Sequence, residues 1–166
     1  MVLKNLVIIL NANKPKENSI KLQTRKGSDI ENSQFFEIAP HEKEQFKKLE
    51  ALFPLVKIRN NPTAIYNCHG MTFASKRTGI NESDSLKQIL KDDNYIEIQE
   101  KDILPNDIIL FLDKDDNIHH SGIIMYIDEK SHIPFICSKW GSYSEIVHSV
   151  YNSLYDTKFI KYYRVY

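Results

Sequence analysis

The stretch Tyr66-Asn67-Cys68-His69-Gly70-Met71-Thr72-Phe73-Ala74-Ser75-Lys76-Arg77 decides how this chain reads. Asn61-Pro62 marks a turn just before it. Asn67 is a favoured helix N-cap residue, and apolar Met71, Phe73 and Ala74 follow at helix-compatible positions. The pattern therefore predicts a helix whose first turn holds Cys68. Unpaired backbone N–H groups and the positive end of the helix dipole meet in such a turn. Both favour a thiolate over a thiol, so the expected effect is a lowered cysteine pKa.

Working outward toward the N-terminus, Leu55 to Ile58 reads as a short extended segment. Before it, His41 to about Phe53 predicts a helix, with Phe46, Leu49 and Phe53 on one face and Pro54 as its stop. Residues 11–34 are polar and aperiodic, which predicts loop with one strand around Ile20 to Thr24. Leu6 to Leu10 is a short buried strand or a helical fragment. Toward the C-terminus, Ser83 to about Lys91 predicts an amphipathic helix with Leu86, Ile89 and Leu90 inward, ended by Asp92-Asp93-Asn94. Strands follow: Tyr95 to Ile98, a near-continuous apolar run Asp107 to Leu112 suited to a central strand, Ile118 to Ile127, and Ile133 to Trp140. Lys114-Asp115-Asp116-Asn117 and Asp128 to Ser131 are the turns between them, and Phe159 to Tyr166 is expected to close a sheet edge. Helices first and an antiparallel sheet after them make an α+β layout, with N-terminal helices packed on the sheet.

The 166 residues fit one domain, with residues 1–60 as an extension packed on a core of residues 61–166. Hydrophobic residues make up 42% and charged residues 27%, as in a folded globular chain. Lys+Arg and Asp+Glu both number 22, so charge points to neither nucleic acid nor an anionic membrane. The two cysteines form no disulfide framework. Leu6 to Leu10 is too short for a signal-peptide core and no segment could span a bilayer, so a cytoplasmic location is expected, with export by another machine left open. Oligomeric state is not legible.

A thiol hydrolase needs a thiolate, an imidazole within reach, and a group that orients the imidazole. His119-His120 opens a strand directly after a turn, and alternation lets only one of the two face the cysteine helix. The small Ser121 and Gly122 beside His120 favour His120, with His119 on the surface. Cys137, within Phe135-Ile136-Cys137, reads as an inert core residue. His69 reads as a structural or solvent-facing neighbour, and Trp140 as core or cleft wall. Tyr66 either packs or points its hydroxyl at an oxyanion. A zinc set of Cys68, His69, His119 and Cys137 lacks the close pair spacing of zinc sites, so no metal is implied.

These residues carry a resemblance. Asn67-Cys68-His69-Gly70-Met71 resembles the Asp-Cys-Ser-Gly-Leu element of the NlpC/P60 and CHAP branch of papain-like cysteine hydrolases. Leu104-Pro105-Asn106-Asp107-Ile108-Ile109-Leu110-Phe111 is similar to that family's Leu-x-Pro-Gly-Asp strand, and His120-Ser121-Gly122-Ile123 to its His-Val-Gly-Ile element. The three come in the family's order and cover roughly Tyr66 to Gly141. The resemblance implies a papain-like fold, Cys68 as nucleophile and His120 as base. The family places His, Asn, Gln or Glu on the strand after the histidine. Here that position falls at Ser138 to Trp140, so Ser138, Glu145 or a backbone carbonyl is the orienting group. Tyr66, Asn67, His69 and Trp140 are the expected oxyanion and cleft residues.

The expected function is cysteine peptidase or amidase activity on an intracellular protein or peptide, with no metal or organic cofactor. Alternatives are a peptidoglycan stem-peptide hydrolase, an acyltransferase or deamidase on the same scaffold, and a non-catalytic binding module.

Overall fold

A computed structural model describes residues 18–166, so the run Leu6 to Leu10 lies outside the described residues. The elements in chain order are α1 (Pro40–Leu52), β1 (Lys57–Ile58), α2 (Cys68–Phe73), α3 (Ser83–Asp92), β2 (Ile96–Ile98), β3 (Ile108–Leu112), β4 (Ile118–Ile127), β5 (Pro134–Lys139), β6 (Glu145–Ser149) and β7 (Ile160–Arg164). The strands form one seven-stranded sheet in the order β1-β6-β5-β4-β3-β7-β2, with every neighbouring pair antiparallel. The expected α+β class holds.

The sheet is covered on both faces, which is why β3, Ile108-Ile109-Leu110-Phe111-Leu112, is buried at every residue. Ile108, Leu110 and Leu112 pack with Ile118 of β4 and with Leu86 and Ile89 of α3. Ile109 and Phe111 pack on the other face with Ile124, Ile136 and Val150. The pairings Ile109–Gly122, Gly122–Ser138 and Ser138–Ile146 carry that second face across the sheet to Ile146. There α1 docks: Leu49 joins Trp140, Tyr143 and Ile146, with Phe46 and Phe53 beside them. Phe53 meets Trp140 edge-on at 4.8 Å. The apolar face read from the sequence of this helix is the face it buries.

Two expectations are corrected, and one strand went unread. The segment around Ile20 to Thr24 forms no strand, only single bridges such as Gln23 to Asp29. Glu145 to Ser149 is a strand, hidden in the sequence by the polar residues at its ends. The last strand, β7, does not close an edge. It lies between β3 and β2, and the three-residue β2 forms the edge. So short a neighbour leaves β7 half exposed, which is the pattern an edge strand also shows.

The helix bearing Cys68 is only six residues long. Ser75 and Lys76 adopt left-handed backbone at φ 50° and 64° and turn the chain back. The Lys76 N–H then bonds the Gly70 carbonyl, and its ammonium reaches the buried Glu145 carboxylate at 2.8 Å. Gly70 is the tightest point of this packing, since a Cβ there would lie 1.8 Å from the Thr78 carbonyl oxygen. Gly70→Ala should therefore lower unfolding free energy by about 3 kcal/mol or more in urea titrations. An unchanged midpoint would show that α2 does not depend on this contact.

Candidate active site

The local sequence fixes the thiol through Asn67. Its side-chain oxygen accepts from the Gly70 N–H at 2.9 Å and the Ile80 N–H at 3.2 Å. Its amide donates to the Ile80 carbonyl at 2.7 Å and to Asn81 at 3.1 Å. The N-cap thus ties the start of α2 to the segment that follows it. Cys68, in the first turn, is buried but lines a cleft of about 450 Å³. Tyr66, Asn67, His69, His119, Ser142 and Tyr155 line the same cleft, at the end of the sheet where β4 begins and β5 finishes.

The β4–β5 ladder starts at Gly122 and Ser138. Just before that pair, the backbone N–H of Ser121 bonds the Cys68 sulfur. The thiol therefore sits against the peptide that joins His120 to Ser121. Burial pushes the Cys68 thiol up to about 11, and it outweighs the N–H groups of Ser121 and His69 and the nearby Lys139 charge. This corrects the expected lowered pKa: the helix start is present, but the loss of water there is the larger effect.

Lys139 lies fully buried beside this site. Its ammonium donates to the carbonyls of Thr63 at 2.8 Å, Gly141 at 2.9 Å and Tyr143. It thereby joins the chain entering α2 to the loop leaving β5. Burial draws it down to about 7, against the pull of Cys68, Glu145 and Glu42.

The two adjacent histidines part at a β-bulge. Phe111 pairs with His120 and Leu112 with Ile118, so His119 is the extra residue. His119 turns outward into the cleft and its Nε2 meets Asp113 at 3.0 Å. His120 points to the sheet face opposite α2, because Ser121 is the residue that meets α2, through His69 and Thr72. Its ring stacks on Tyr155 at 3.8 Å, and among the described residues neither ring nitrogen has a hydrogen-bond partner. Burial, with His69 and His148 nearby, holds His120 neutral, far below the usual histidine range. His69 is buried, its Nδ1 paired with Ser121 at 2.9 Å, and burial brings it down to about 3.

Other expected residues fall differently. The Ser138 hydroxyl pairs with His148 at 2.7 Å and not with His120. Ser138 pairs with Gly122 on the sheet, two residues from His120, and the nearer ring belongs to Tyr155. Trp140 is core, packed on Phe53 and His148, and does not line the cleft. The Tyr66 hydroxyl donates to Glu145 at 2.7 Å and accepts from Asn60, so it does not face an oxyanion. Glu145 is engaged by Tyr66 and Lys76 on the α2 side, away from His120. Cys137 is buried, with the Arg59 guanidinium on its sulfur at 3.5 Å. Tyr155 and His148 went unread in the sequence. Strand alternation through Glu145 to Ser149 would have found His148, but Tyr155 lies in an irregular segment and leaves no periodic signal.

No family model, no curated protein and no solved structure matches the chain.

A thiol held near 11 is protonated throughout the neutral range, and its thiolate fraction grows about tenfold per pH unit below that value. In Cys137→Ala protein, the iodoacetamide labelling rate of Cys68 should rise with unit slope from about pH 7 to about pH 10. A plateau beginning below pH 8, read by mass spectrometry, would mean that the helix start dominates after all.

Proposed function

We propose that the chain is a cysteine peptidase or amidase on a papain-like scaffold of the NlpC/P60 and CHAP type, acting inside the cell on an amide of a protein or peptide. One observation carries this reading: Cys68, in the first turn of α2, lines the cleft together with Tyr155, and the Tyr155 ring stacks on His120 at 3.8 Å. In this reading His120, which rests on the sheet face opposite α2, brings a ring nitrogen to the sulfur as substrate binds; it takes the thiol proton as sulfur attacks the amide carbonyl, and returns it to the departing amine. Catalytic hydrogen bonds are often long in the free enzyme and close on substrate. The backbone N–H of Cys68, in the first turn of α2, faces the developing oxyanion. Water then releases the acyl group from sulfur.

A second assignment of the base rests on the His119–Asp113 pair, a histidine in the cleft already held by a carboxylate. The mutants separate the two. Purified protein incubated with a mixed peptide library and, separately, with peptidoglycan should release new amines from the peptides, and Cys68→Ala should release none. His120→Ala should cost about 10²- to 10⁴-fold and His119→Ala less than about tenfold. The reverse order would move the base to His119. Release from peptidoglycan alone would replace the intracellular substrate with a wall polymer, and full activity in Cys68→Ala would end the thiol reading.

A further inference from the structure

Tyr155 lies in the irregular segment between β6 and β7 and belongs to both halves of the site. Its ring lies flat on His120, 3.8 Å between centroids and 7° between planes. The same residue lines the cleft together with Cys68. Among the described residues its hydroxyl has no hydrogen-bond partner. Burial holds that hydroxyl protonated well above the usual tyrosine range, so it is a donor at any working pH. Tyr66, the other tyrosine of the cleft, has its hydroxyl engaged by Glu145 and Asn60.

We infer that Tyr155 is a catalytic residue whose hydroxyl donates a hydrogen bond to the oxyanion formed when Cys68 attacks a carbonyl, while its ring holds His120 in place. The inference rests on the thiol-hydrolase reading above. The step balances without any further reactant. The sulfur lone pair forms the carbon–sulfur bond, the carbonyl π pair moves onto oxygen, and His120 takes the thiol proton. The Tyr155 hydroxyl and a backbone N–H of α2 then bond that oxygen. Collapse restores the carbonyl and expels the leaving group, which takes the proton back.

Two reagents on the same thiol test this. Iodoacetamide alkylates sulfur at a saturated carbon, where no oxyanion forms. p-Nitrophenyl acetate acylates it through a tetrahedral oxyanion. Tyr155→Phe keeps the ring on His120 and removes only the hydroxyl. In a Cys137→Ala background it should lower the rate of Cys68 acylation by about 10²-fold. It should leave the alkylation rate and the thermal midpoint unchanged. Equal acylation rates with and without the hydroxyl would overturn the inference, as would an equal fall in both reactions, which would assign the hydroxyl to the thiol. If neither reagent modified Cys68 in the parent protein, the thiol-hydrolase reading itself would fail and the inference with it.

Discussion

The four hydrogen bonds of the Asn67 side chain are the constraint on which the site depends. They cap α2 and clamp it to Ile80 and Asn81 in one step. With Gly70 pressed on the Thr78 carbonyl, they leave α2 a single position on the sheet. That position delivers the Cys68 sulfur to the Ser121 amide where the β4–β5 ladder has not yet begun. Lys139 holds the opposite wall through three carbonyls, two of them in the loop that follows β5. The cleft is thus framed by backbone groups held by two side chains, half-buried Asn67 and fully buried Lys139.

The electrostatics follow from burial. His69, His120 and His148 are all held neutral by it, and Cys68 is held as a thiol. Cys68 therefore rests as a neutral thiol next to the neutral imidazole of His69 in α2, and not as a thiolate–imidazolium pair. In the proposed reaction the proton moves as the sulfur attacks, by general-base catalysis in place of a stored thiolate. A thiol that stays protonated until substrate arrives is also protected from adventitious oxidation and alkylation.

Most of the framework was legible because its signals are local. The cap at Asn67, the apolar face of α1 and the unbroken run of β3 each follow from neighbouring residues, and each is found where the sequence puts it. What was not legible depends on contacts distant in the chain. The bulge at His119 breaks the period of two and sends His120 to the face away from α2, which alternation alone cannot foresee. Ser138 finds His148 because Glu145 to Ser149 is a strand, a neighbour not recognised in the sequence. The thiol pKa depends on how much water packing removes, and neither a cap nor a dipole reports that.

In the proposed reaction Cys68 and His120 act on one carbonyl, and a crystal structure of the protein after reaction with a peptidyl chloromethyl ketone is the decisive measurement. It should show a covalent bond at the Cys68 sulfur, the inhibitor oxygen within hydrogen-bond range of an α2 backbone N–H, and one nitrogen of His120 turned toward the sulfur. An adduct on another residue would contradict it, as would a Cys68 adduct in which both nitrogens of His120 remain without a partner while His119 faces the sulfur.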